Sequence, residues 1–203
     1  MTAREDRILS PSRRQALLAA AAAEFAEHGF ERASLNRVIA TQRMSKSSFY
    51  HYFASKTALF DAVVSEAAAR LMETVRVPDV ARPAGDDFWE EIGGFVSRLA
   101  RAGQAGPLVD LARLFYLPDV PDDSVVPRIR GAIDDWIAAA LMTGRIRGAV
   151  RDDVPASLQV RMVVALLWAI DEWSVEQLPT LDPVERGRLA SAQVAAVRRL
   201  LEP

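Results

Sequence analysis

The chain has 203 residues, 50% of them apolar, a formal charge of −2 and no cysteine. That is enough apolar material for one or two domains with a real core, and it excludes disulfides, thiolate catalysis and cysteine zinc sites. No apolar run reaches the roughly 18 residues of a membrane span, and the N-terminal MTAREDRILSPSRR lacks the apolar core of a secretion signal, so a soluble cytoplasmic protein without membrane contact is expected.

The charge is unevenly placed. Residues 1–57 carry nine basic and five acidic side chains, whereas the rest carries 16 and 22. A basic first quarter on an acidic body suits a chain whose one end meets a polyanion.

In chain order, Pro11 to Glu27 reads as an amphipathic helix with Leu18, Ala22 and Phe25 on one face, stopped by Gly29. Ser34 is placed to cap a short second helix with the stripe Leu35, Val38 and Ile39. Ser45 caps a short third helix, and Ser55 a fourth that runs from Lys56 to about Val75. Further helices are predicted at about 86–102, 105–117, 124–146, 156–177 and 182–201, separated by loops rich in glycine, proline and aspartate. No segment alternates with period two, so the expectation is an all-α fold of about nine helices.

Wound at 3.6 residues per turn, the third helix puts Lys46, Ser47, Tyr50 and His51 on one side and Phe49 and Phe53 on another, with Met44 at its entry. An apolar back and a hydrogen-bonding front, after a short helix and a tight turn, describe the reading helix of a helix-turn-helix, which enters the DNA major groove. Lys46 and Lys56 each stand in the first turn of a helix, where the macrodipole disfavours a cation by about 0.3 to 1 kcal/mol. A phosphate at those helix ends removes the conflict. The bland alternative is two solvated lysines.

The run LLAAAAAEFAEHGFERASLNRVIATQRMSKSSFYHYFASKTALFDAV, Leu17 to Val63, resembles the DNA-binding domain of the TetR family of transcriptional regulators. The resemblance implies a helix-turn-helix head at 11–57 and a C-terminal ligand-binding and dimerisation domain at 58–203, connected by helix 56–76. It implies a homodimer, a pseudo-palindromic DNA operator and a small-molecule inducer. By the same resemblance Lys46 and Ser47 reach base edges, Tyr50 touches a base or phosphate, and Ser45, Ser48, Tyr52 and Lys56 touch the backbone. Asn36 and Arg37 are additional contacts. His51 lies in or beside the groove. The family usually has glycine where this chain has Arg43, so either the turn differs or Arg43 offsets strain with a phosphate contact.

In the remainder, Phe88, Trp89, Phe95, Phe115, Tyr116, Trp136 and Trp168 are candidate pocket residues, with core packing as the alternative for each. Asp171 and Glu172 interrupt the apolar run VVALLWAIDEWSV and share a face with Trp168. Either they hold a cationic ligand against the indole, or they pair with arginines such as Arg161, or with Arg198 or Arg199 of a neighbouring helix at a dimer interface. Val160, Val163, Val164 and Leu167, together with Leu189, Ala192, Ala196, Val197 and Leu200, form stripes suited to a two-fold four-helix interface. Acid pairs such as Asp122 and Asp123 lack histidine or cysteine partners, so no enzyme, metal or cofactor is expected. The leading expectation is a ligand-responsive homodimeric repressor. The alternative is a ligand-insensitive DNA-binding or architectural protein that dimerises through its tail.

Overall fold

The structure, a computed structural model, describes residues 9–80, 87–102, 112–177 and 180–203. Among these residues there is no strand, and eight helices are formed: α1 (Pro11–Arg32), α2 (Leu35–Thr41), α3 (Lys46–Tyr52), α4 (Lys56–Thr74), α5 (Phe88–Ala102), α6 (Val125–Ile146), α7 (Ala156–Gln177) and α8 (Pro183–Leu201). A further helical stretch covers 112–115. It is the described end of the helix expected at 105–117, most of which lies outside the described residues.

The helix starts follow local chemistry. The hydroxyls of Ser34, Ser45 and Ser55 accept the amides of Arg37, Ser48 and Ala58 at 3.4, 3.1 and 3.0 Å, each satisfying one of the free donors of a helix N-terminus. Asp182 and Glu185 cap α8 reciprocally. Gly29 breaks α1 as expected, with φ +76°, but the chain then resumes for one turn to Arg32. That extra turn has its own cap: the carboxylate of Asp119, 89 residues downstream of Phe30, accepts the amides of Phe30 and Glu31 at 3.1 and 2.7 Å.

Two cores result. The first gathers Leu17, Phe25, Phe30, Val38, Ile39, Phe49, Leu59 and Phe60 from α1–α4, and it continues into Leu114, Val125 and Val126. Phe60 meets Phe25 and Phe30 edge-on at 5.2 and 5.4 Å, a favourable ring arrangement. The second core packs Phe88 and Trp89 of α5 against Ile137, Leu141, Val150, Val163 and Leu201. Gly144 permits this contact, because a Cβ there would stand 2.5 Å from Val150 and 2.9 Å from Phe88. Asp61 of α4 links the halves by accepting the amide of Val125 at 2.8 Å, which caps α6 from another helix.

The second core draws on one of the stripes expected at a partner surface. Val163 is buried in it, and Val160, Val164, Leu167 and Val197 pack against it while keeping part of their surface exposed. Helix α7 carries two apolar stripes, and its outward one is Leu158, Met162 and Trp173, with Ala165 and Ala169 between them. Of the residues expected on α8, Ala192, Ala196 and Leu200 are exposed and Leu189 is half-buried.

Candidate nucleic-acid interface

The turn between α2 and α3 closes as a Schellman motif. The amide of Arg43 bonds the carbonyl of Ala40 at 3.0 Å, and that of Met44 reaches back to Ile39 at 3.1 Å. This pattern requires a left-handed residue, and Arg43 supplies it at φ +48°. The same motif ends α6, where Gly148 takes the left-handed position at φ +69°. Arg43 therefore stands in glycine's place at a cost of about 1 kcal/mol, and Met44 packs on the first core to seal the turn.

Helix α3 is anchored by its rings. Phe49 is 0% exposed and Phe53 is buried 5.7 Å from it, centroid to centroid. The opposite face presents Lys46, Ser47, Ser48, Tyr50 and His51 to solvent, with Tyr50 53% exposed. Tyr52 is half-buried against the first core, and Asn36 is exposed at the start of α2. Ser45 and Ser48 also bond each other through their hydroxyls at 3.0 Å.

Two side chains expected at the DNA also have partners within the chain. The ammonium of Lys56 donates to the carbonyls of Glu31 and Ala33 at 2.7 and 3.1 Å and lies 5.1 Å over the ring of Phe30. Partial negative charge at the end of α1 thus offsets its placement at the N-terminus of α4. Arg37 grips Glu24 through Nε, at 2.9 and 3.0 Å from the two carboxylate oxygens. Glu24 Oε1 also accepts the Ser34 amide at 2.7 Å. Hydrogen bonding to Arg37 holds the Glu24 carboxyl below its ordinary pKa. Lys46 remains the first-turn lysine with an exposed side chain.

A family model described as bacterial regulatory proteins, tetR family, matches residues 17–63. Those residues belong to the TetR family. Within the TetR-family head, the chain is 43% identical over 63 residues to the HTH-type transcriptional repressor AcnR of Corynebacterium diphtheriae, covering 31% of this chain and 33% of that protein. The chain thus matches about a third of the length of that curated relative. Over nearly the whole chain the fold is that of solved TetR-family structures. A transcriptional regulator from Chloroflexus aurantiacus superposes with a TM-score of 0.72 at 19% identity over 96% of this chain and 95% of that one. A structure titled SmeT–triclosan complex does so with 0.70 at 19% identity, over 92% and 91%.

Beyond the TetR-family head, the expected pocket residues disperse. Phe88 and Trp89 belong to the second core, and the Trp89 indole N–H donates to the Ala149 carbonyl at 2.9 Å. Phe95 packs on Trp136, whose N–H reaches the Pro78 carbonyl at 3.2 Å. Phe115 lies against the first core. A cavity of about 260 Å³ is lined by Arg113, Tyr116, Glu172, Val175 and Glu176, so only Tyr116 and Glu172 of the expected set border it.

Behind this cavity Asp171 has a partner within the chain. The Tyr116 hydroxyl donates to Asp171, and none of Arg161, Arg198 and Arg199 pairs with that carboxylate. Arg198 instead bonds Glu202 at 2.6 Å. The cation over Trp168 is Arg130, 5.0 Å from that ring and 5.1 Å from Tyr116, while the Trp168 N–H bonds Asp134 at 2.7 Å. Burial, reinforced by Asp171, raises the Tyr116 pKa. Asp171 keeps part of its surface in solvent, yet the protein packed round its carboxylate raises its pKa against the opposing Tyr116 and Arg130.

Proposed function

We propose that this chain is a homodimeric transcriptional repressor that binds a pseudo-palindromic operator and is released by a small-molecule inducer. The observation that carries the proposal is the face of α3: Lys46, Ser47, Tyr50 and His51 exposed on a helix whose rings Phe49 and Phe53 are buried. A short helix held this rigidly from behind, with donors in front, is what base reading in a major groove requires. Residues 11–57 serve as the reading head, and residues 58–203 bind effector and dimerise, with α4 joining them. Lys46 and Ser47 are assigned to base edges, and Tyr50 to a base or phosphate. Ser45, Ser48, Tyr52, Asn36 and Arg43 are assigned to the backbone, and His51 to the groove wall. The protein acts on DNA in the cytoplasm.

The partner surface is the outward stripe of α7, Leu158, Met162 and Trp173, with Ala192, Ala196 and Leu200 of α8. Three large apolar side chains at helical spacing on one exposed face suit a two-fold interface. A stable dimer places two α3 helices for the two half-sites of an operator. Effector binding is supported by the cavity beside Tyr116 and by the triclosan complex of the SmeT neighbour.

The alternative is a regulator indifferent to ligands, and one observation favours it: Arg130 already fills the cation seat between Tyr116 and Trp168. Footprinting and gel-shift on the DNA upstream of the protein's own reading frame test the main proposal. A protected two-fold site, lost in the Lys46→Ala and Tyr50→Ala double variant with its helicity intact, is expected. Retention of binding by that variant overturns the site assignment, and release of DNA by none of a metabolite panel favours the ligand-indifferent reading.

A further inference from the structure

We infer that Asp119 is a positioning residue for the reading head, tied to the effector cavity through the four-residue strap Tyr116–Leu117–Pro118–Asp119. This rests on the function proposed above.

At one end of the strap Tyr116 lines the cavity and is pinned by its hydroxyl to Asp171 on α7. At the other end Asp119 grips the amides of Phe30 and Glu31 at 3.1 and 2.7 Å. Between them Leu117 packs on the first core and Pro118 fixes its own φ. Three residue steps reach at most about 11 Å. So short a connection passes a displacement of the Tyr116 backbone on to Asp119.

The gripped amides lie at the one place where α1 is already broken. Gly29 holds φ +76°, and a Cβ on it would stand 3.2 Å from Asp119 Oδ2, so glycine serves both the break and the carboxylate's approach. The turn that follows is a junction for the head. Its carbonyls at Glu31 and Ala33 hold Lys56 at the start of α4. Its neighbour Ser34 joins Arg37 of α2 on Glu24. Moving this turn therefore reorients α2, and with it the α3 helix that α2 supports. A ligand that displaces the Tyr116 ring frees its hydroxyl from Asp171. The Asp61 to Val125 bond is a separate link that does not pass through Tyr116.

Hydrogen exchange at the Phe30 and Glu31 amides of the full chain reads the strap directly. Tyr116→Phe is expected to raise exchange there about five-fold or more, while Trp136→Phe, which loses the bond to Pro78 without touching the strap, leaves it unchanged. In the second arm, a duplex enriched from a random pool by the wild-type protein is titrated with Tyr116→Phe, Asp119→Ala and the double variant. Tyr116→Phe is expected to change affinity about five-fold or more when Asp119 is intact, and less than about two-fold when Asp119→Ala is already present. Unchanged exchange in Tyr116→Phe, or affinity effects that add, overturns the inference. Should the wild type enrich no duplex, the proposed function fails, and the exchange arm alone still decides the strap.

Discussion

Arg37 and Glu24, 13 residues apart on α2 and α1, form a forked ion pair in which one guanidinium nitrogen lies 2.9 and 3.0 Å from the two carboxylate oxygens. The pair sets the angle at which α2 leaves α1, because the same carboxylate also fixes the Ser34 amide. Since Arg37 lowers the Glu24 pKa, this contact stabilises the fold above the unfolded value of about 4.3 and is lost as pH falls through the lower folded value. Glu24→Gln is expected to lower the urea midpoint at pH 7. The difference from wild type should shrink as pH falls below about 4.3, and a difference constant down to pH 2 would contradict it.

Lys46 and Tyr50 should separate binding from folding. Each side chain is exposed, so alanine at either should leave the melting temperature nearly unchanged, whereas Phe49→Ala should destabilise by about 3–5 kcal/mol. If Lys46 neutralises one phosphate, Lys46→Ala also makes the slope of log affinity against log salt shallower by about 0.9. If it reads a base edge instead, discrimination at one operator position falls by about 1–3 kcal/mol while the others hold. Anisotropy titrations on operator variants over a salt series distinguish these outcomes.

Arg43 offers a substitution expected to move stability and binding in opposite directions. Arg43→Gly relieves the left-handed backbone and should leave stability unchanged or raise it by up to about 1 kcal/mol. If the guanidinium touches the DNA backbone, operator affinity should nevertheless fall. A more stable variant that binds equally well removes Arg43 from the interface.

Met162 and Val163 are adjacent on α7 but answer different questions. Met162 is 47% exposed and Val163 is 2% exposed. Met162→Glu is expected to dissociate the dimer in analytical ultracentrifugation with helicity retained. Val163→Ala should cost about 2 kcal/mol of stability in either oligomeric state. A Met162→Glu dimer as tight as wild type would place the interface elsewhere.

How much of this was legible in the sequence depends on the distance between partners. The caps at Ser34, Ser45 and Ser55 and the split of rings on α3 are local, set by spacings of three or four residues, and they emerge as expected. Lys56 resists such reading because its acceptors lie 25 and 23 residues upstream, so a structural lysine and a phosphate-binding one look alike. Asp171 finds Tyr116 across 55 residues, and nothing in VVALLWAIDEWSV names that partner. On α7 periodicity reveals an apolar helix but not which of two stripes turns inward. Asp119 sits in LPDVPDD, where its turn-forming composition conceals its role as a cap.

The first core runs without a seam from Phe25 and Phe60 into Leu114, Val125 and Val126. A chimaera that borrows another regulator's head at residue 57 therefore cuts through a packed interior rather than a linker. The foreign helices would meet apolar surfaces shaped for other side chains, leaving voids or clashes worth several kcal/mol, roughly as large as the effect of a single core truncation. For exchanging specificities, a graft confined to the solvent face of α3, from Lys46 to His51, leaves that interior intact.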